Sequence, residues 1–234
     1  MRIDGLAYSA ASILCALKRR RRIRPAADSH GLVKVNLGCG LAVARGWTNV
    51  DASLNAFVSG WPRALHRLLY RASGANRRYT ADEYCDLLAT RDFIHHDLSY
   101  GIPFPNACAD YVYSSHLLEH LHLESARRLL RDCLRVLKKG GVLRLCVPDL
   151  ERAMSLYSQG RKREMLQTYF FVDESRNAFS VHKYMYDFGL LKEELEGAGF
   201  SDVTRRAFGE GEMPDVAMLD NHPDETLFVE AKKP

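Results

Sequence analysis

Residues 35–40, VNLGCG, carry a short apolar run straight into Gly-Cys-Gly. Val35 to Leu37 suit a buried strand, and glycine lets a backbone bend sharply and lets a ligand approach closely. Eleven residues after Gly40 stands Asp51, at the end of a second β-rich run, WTNVDA. In an open parallel sheet, ligands bind beyond the carboxyl ends of the strands, near the point where the strand order reverses. A carboxylate at Asp51 can there accept hydrogen bonds from both hydroxyls of a ribose. The G-x-G-x-x-G spacing of a dinucleotide site fails, because Gly46 comes too late after Gly40, and no G-K-[ST] follows. The expected ligand has a ribose and no need of a pyrophosphate.

Outward from this stretch, β-rich runs alternate with amphipathic helices. FIHHDL, ADYVYSS, GGVLRLCVP, SDVTRRAF and TLFVEAKK read as strands three to seven. A helix is expected over about 123–139, with Leu129, Leu130, Cys133, Leu134, Val136 and Leu137 on its apolar face. Lys138-Lys139-Gly140-Gly141 should close it, placing cations at the C-terminal dipole and then glycine. This alternation implies an α/β fold: a Rossmann-like, seven-stranded, mostly parallel sheet with an antiparallel last strand and helices on both faces.

The chain of 234 residues suits one such domain, over about 31–234, preceded by a basic amphipathic segment, 1–30. Two stretches exceed ordinary connections, 53–92 and 150–182, and are read as helical insertions. Long excursions of this kind tend to be functional. The first contains WPRALHRLLYRASGANRRYT, with five arginines and no acid.

Charge is concentrated at the start of the chain. Residues 1–24 hold seven of the 33 Lys/Arg and one of the 29 Asp/Glu, so the rest has a net charge of −2. A nucleic-acid-binding domain would usually be basic itself, which argues against a nucleic-acid partner. Ile3, Leu6, Ala7, Ala10, Leu14 and Leu17 recur at helical spacing before the run Lys18–Arg22. The charge follows the apolar stretch, unlike a secretory signal, and the stretch is too short to span a bilayer. Peripheral contact with the inner face of a membrane is the functional reading of 1–24. Six cysteines, Cys15, Cys39, Cys85, Cys108, Cys133 and Cys146, show no C-x-x-C pair and suggest reduced thiols in a cytoplasm.

Over about residues 33–233 the sequence resembles the class I S-adenosylmethionine-dependent methyltransferases. VNLGCG is similar to that family's glycine-rich first motif, and NVDAS to the acid after its second strand. HHDLSYGIPFPNACADYVYSSHLLEHL and LLRDCLRVLKKGGVLRLCVPD resemble its later motifs in order and spacing. The resemblance implies S-adenosylmethionine as cofactor, with Gly38, Cys39 and Gly40 flanking its methionine end and Asp51 on the ribose. It implies Asp97 and Leu98 by the adenine, and Ser114, Ser115 and His116 where methyl transfer occurs. The family's usual acid two residues before the first glycine is Asn36 here, whose amide can meet the ammonium without a charge.

Methyl transfer from a sulfonium needs alignment and, for a hydroxyl, removal of a proton. After strand four the chain has Tyr113-Ser114-Ser115-His116, not the N/D-P-P-Y/F of amino-methylating relatives, and it has no Pro-Cys pair. An oxygen acceptor is therefore expected. His182, in SVHKYMYDFGLL before a helix that Asp187 can cap, and His116 are the candidate bases. Glu119 and His120 read as the start of the helix after strand four. His95-His96 lacks a third ligand, so no metal ligand is assigned. Glu210, Glu212, Asp215, Asp220, Asn221 and His222, before the last strand, are candidates for a polyhydroxylated acceptor or, equally, a solvated acidic loop.

The pattern most resembles small bacterial methyltransferases of cell-surface polysaccharide or glycolipid assembly. It implies O-methylation of a small-molecule or glycan-linked hydroxyl. Two alternatives stand beside it: an RNA or protein methyltransferase, and a non-catalytic module that keeps the fold for binding.

Overall fold

The computed structural model describes residues 22–71, 73–170 and 181–234. The membrane-contact reading of 1–24 falls almost wholly outside them. Arg22, the last of the cationic run, donates from Nη1 to the Ile102 and Phe104 carbonyls at 3.0 and 2.9 Å. Among the described residues, no helix is long and apolar enough to cross a membrane.

Seven strands form one sheet: β1 (Lys34–Leu37), β2 (Thr48–Asp51), β3 (Asp92–His95), β4 (Ala109–Ser115), β5 (Leu137–Pro148), β6 (Ser201–Arg206) and β7 (Thr226–Lys232). Their order is β3-β2-β1-β4-β5-β7-β6. The first five are parallel, and β7 runs antiparallel between β5 and β6, as the sequence leads one to expect. The chain leaves β1 on one side for β2 and β3, then returns to β4 on the other. The crevice beyond the ends of β1 and β4 is therefore the switch point where such folds bind ligands.

Helices α1 (Leu54–Val58), α2 (Arg63–Leu69) and α3 (Ala81–Thr90) fill the link from β2 to β3. Helix α4 (Leu123–Val136) joins β4 to β5. Then α5 (Leu150–Ser158) and α6 (Lys162–Met165) follow β5, α7 (Phe188–Ala198) precedes β6, and α8 (Val216–Leu219) lies before β7. Thr80 and Glu83 form a reciprocal capping box on α3, and Asp187 caps α7 through Leu190 N at 2.8 Å. Helix α4 has no side-chain cap; His122 precedes it without one. Burial holds it instead. Leu129, Leu130, Cys133 and Val136 join Val35, Leu37, Val112 and Leu143 in the main core. Each buried Leu or Val contributes about 1.5–3 kcal/mol, against about 1 for a missing cap.

The expected glycine closure of α4 does not form. The helix ends at Val136, and Leu137 is already extended, paired with Ala109 in β5. Lys138 instead binds the Asp110 carboxylate at 2.8 Å. Gly140 turns with φ +74 within β5. Burial of Leu137 in the sheet outcompetes a further helical turn.

Candidate active site

A cavity of about 530 Å³ opens at the switch point. The β1–β2 loop forms one wall, with Asn36, Gly38, Cys39 and Gly40. Ser115 at the end of β4 and His116 close it, Asn221 and His222 come from the loop before β7, and Ser73, Gly74, Ala75, Arg78 and Tyr79 come from the first insertion.

The two glycines of the loop do different work. Gly38 has φ +65, and a Cβ there would strike the Leu117 side chain at 2.9 Å. Gly40 has φ +51, and a Cβ there would meet no atom within 4 Å. Gly38 admits a packed neighbour, whereas Gly40 keeps the cavity wall clear. Cys39 between them is buried, and burial, reinforced by Asp51, pushes its thiol up. The Asn36 amide donates to Ala42 O at 2.8 Å and Asn49 Oδ1 at 3.2 Å, so it shapes the loop from beneath. Asp51 ties the same loop down: Oδ2 accepts from Gly40 N at 2.8 Å and Oδ1 from Ser53 N at 2.6 Å. Each oxygen retains a second lone pair for a hydroxyl.

Other candidates lie off this cavity. Ser114 is buried, donating to Leu37 O at 3.1 Å. Asp97 accepts from Ser99 N at 2.8 Å, and Leu98 lines a different hollow, beside Arg22 and Arg135. His96 is buried against Gly101 O at 2.8 Å, and His95 stacks edge-on to Phe57.

The histidines separate in the same way. His116 lines the cavity on a left-handed backbone, φ +50, a conformation non-glycine residues hold mainly where surroundings enforce it. Its Nε2 lies 3.1 Å from Thr226 Oγ1, and its Nδ1 lies 3.2 Å from Glu119 Oε1. His222, also at φ +50, meets it ring to edge at 5.3 Å. His182 does not line the cavity. It stands behind His116, its ring 5.0 Å from His120, with Nδ1 on Tyr169 O at 2.6 Å. Burial lowers its pKa.

Glu119 and His120 do not cap α4. They sit on a 3-10 turn, Leu118–His120, between β4 and that helix. Glu119 is fully buried, and neither of its oxygens receives a well-aligned hydrogen bond. Only its polar residue type in an apolar stretch hinted at this.

The acids before β7 divide: Glu210 and Glu212 are exposed, whereas Asp215 and Asp220 are tied into the fold. Arg144 of β5, fully buried, holds Asp220 by Nε at 3.0 Å and Nη2 at 2.5 Å, and Glu230 by Nη1 at 3.0 Å. Its remaining donors reach the Glu210 and Ala207 carbonyls. Asp215 takes Lys34 and Trp47, and Glu212 takes Lys232 and Arg206. Only Asn221 and His222 of that loop reach the cavity. In the first insertion, Arg63 and Arg67 pair with Asp86 and Asp82 of α3. Arg78 lines the cavity without an ion pair among the described residues.

This geometry has counterparts in known proteins. The chain aligns with a SAM-dependent methyltransferase from Archaeoglobus fulgidus at 16% identity and TM-score 0.51, over 98% of this chain and 94% of that one. It aligns with a SAM-dependent methyltransferase from Thermotoga maritima at 15% identity and TM-score 0.50, over 98% and 92%. The fold is that of the SAM-dependent methyltransferases. Residues 59–145 also match the family model described as a methyltransferase domain. That match begins after the glycine loop and Asp51, which are placed by the fold. No match is found among curated proteins. The family match and the fold support a methyltransferase, and the open wall at Gly40 and the lone pairs of Asp51 fit S-adenosylmethionine as its cofactor.

Proposed function

We propose that the chain methylates a hydroxyl of a sugar or glycan-linked acceptor, as a step in cell-surface polysaccharide or glycolipid biosynthesis. The observation that carries this reading is the composition of the cavity wall. Ser73, Ser115, His116, Asn221 and His222 present hydrogen-bonding groups, and Arg78 adds a cation that has no ion pair among the described residues. Such a wall suits a polyhydroxylated acceptor bearing a phosphate, in place of a planar amino group held by an aromatic clamp. The basic leader and Arg78 favour an acceptor on a lipid carrier, met in the cytoplasm at the inner membrane face.

S-adenosylmethionine supplies an electrophilic methyl group when bound. Gly38, Cys39 and Gly40 flank its methionine end, with Asn36 beneath them, and Asp51 holds the ribose. Ser115 lies at the transfer point. His116 is the base in this reading, because it faces the cavity and His182 does not. With Nδ1 carrying the proton, the Nε2 lone pair faces the Thr226 hydroxyl at 3.1 Å, which has to give way for Nε2 to take the acceptor proton.

Calorimetric titration of S-adenosylmethionine into the wild type should give micromolar binding, weakened at least tenfold in Asp51→Ala. Turnover on phosphorylated glycan acceptors should fall about 10²–10⁴-fold in His116→Ala with cofactor affinity kept. If His182→Ala loses turnover and His116→Ala does not, the base is misassigned. Absence of cofactor binding in the wild type refutes the enzyme reading and favours a binding module.

A further inference from the structure

Glu119 is 0% exposed, and both its carboxylate oxygens lack a hydrogen-bond partner among the described residues. A buried carboxylate left in this condition is costly unless something else satisfies it. The groups that face it are imidazoles. His120 places Nδ1 3.2 Å from the Val181 carbonyl, and His182 places Nδ1 2.6 Å from the Tyr169 carbonyl. A carbonyl only accepts, so each Nδ1 carries a proton, and in the neutral ring Nε2 is the nitrogen with a lone pair for a ligand. His120 Nε2 lies 3.7 Å from Glu119 Oε1. One ligand atom from each of Glu119, His120 and His182 lies within 4.8 Å of the others.

We infer that Glu119, His120 and His182 bind a divalent transition-metal ion, zinc by preference. Two neutral imidazoles and a carboxylate are a donor set that such ions take, with a position left open. The surroundings are those of a ligand site. Imidazoles that donate their other N–H to backbone carbonyls have tautomer and ring orientation fixed for ligation. His116 Nδ1 also approaches, 3.2 Å from Glu119 Oε1, without an aligned hydrogen bond. The two segments that carry the ligands are stapled by backbone bonds from Lys183 N and Tyr184 N to Glu119 O, at 2.7 and 3.2 Å. The rival explanation, a carboxylate that caps a helix, fails because α4 starts at Leu123 and Glu119 caps nothing. The site stands directly behind His116, one side chain away from the methyl-transfer cavity, and its existence does not depend on the acceptor.

The test uses the full chain, stripped by chelation and titrated separately with Zn²⁺ and Co²⁺ by calorimetry. One equivalent of each should bind, Zn²⁺ at micromolar dissociation constant or tighter, with a visible absorption band from bound Co²⁺ and a rise in Tm. Glu119→Gln, His182→Ala and His120→Gln should each weaken Zn²⁺ binding about 100-fold or more, beyond what loss of an outer partner usually does. Metal-free Glu119→Gln should melt no lower than metal-free wild type, since it removes a buried charge without partners. Lost affinity with retained Tm thus separates ligation from misfolding. No stoichiometric binding of either ion to the wild type overturns the inference, as does wild-type affinity in all three variants.

Discussion

Two clusters of buried charge flank the same cavity, and they are built on opposite terms. Around Arg144 every donor of the guanidinium has an acceptor, and Glu230 also receives Arg206 Nε, Glu212 N and Met213 N. Around Glu119 the carboxylate lacks aligned donors while three imidazoles surround it. A closed network of this kind has no capacity left for a ligand and acts on the fold. The open one strains the folded state and has capacity left for chemistry. Burial alone therefore says little about role, and the count of satisfied lone pairs says much more.

The contrast can be broken most sharply at Arg144. Arg144→Met leaves Asp220 buried without a counter-charge and Glu230 with Arg206 alone, and urea denaturation should show a loss of about 3–5 kcal/mol. Adding Asp220→Asn and Glu230→Gln should recover part of it. A loss under 1 kcal/mol would mean the network is not a closed structural unit. The glycine pair gives the next effect. Gly38→Ala combines left-handed backbone with a collision at Leu117, costing about 2–3 kcal/mol. Gly40→Ala should cost only about 1 kcal/mol yet weaken S-adenosylmethionine binding, because its methyl group enters the cavity. Equal stability losses at the two positions would erase the distinction.

At Glu119 the sign should reverse. Metal-free Glu119→Gln should gain about 1 kcal/mol in the same denaturation assay, by relieving an unsatisfied charge. The smallest effect lies at Asp28. Hydrogen bonds from Leu32 N, then Lys34, lower its pKa from 3.8 to about 2. A carboxylate with a depressed folded pKa stabilises the protein above its unfolded value and loses that contribution as pH falls through 2. Between pH 4 and 2, Asp28→Asn should therefore show a shallower decline in stability than wild type. Parallel acid limbs would deny Asp28 this part.

Much of this molecule was readable from local pattern. ADYVYSS gave β4 to the residue, Ala109–Ser115, because alternation and flanking turns are local signals. Asp187 was recognised as a cap for the same reason, its partner lying three residues on. Contacts made across the sheet were not readable. Arg144 sits in the apolar run GGVLRLCVP with nothing local to name its partners, because Asp220 and Glu230 come from elements more than seventy residues later. Glu119 and His182 met only through the folding of a long insertion. The end of α4 was misjudged because strand pairing at Leu137 is a tertiary effect that Lys-Lys-Gly-Gly does not reveal. The glycine loop is expected from sequence to line the site, but only the Leu117 contact shows that one glycine serves packing.

The anchoring of the loop before β7 also bears on the speed of binding. Asn221 and His222 reach the cavity from a segment whose neighbours Asp220, Asp215 and Glu212 are fastened by Arg144, Lys34 and Lys232 before any ligand arrives. This wall need not be ordered during the encounter, so that part of the entropic cost of association is already met in folding. Cofactor capture at this edge should then proceed in a single kinetic phase, limited by collision and not by loop closure.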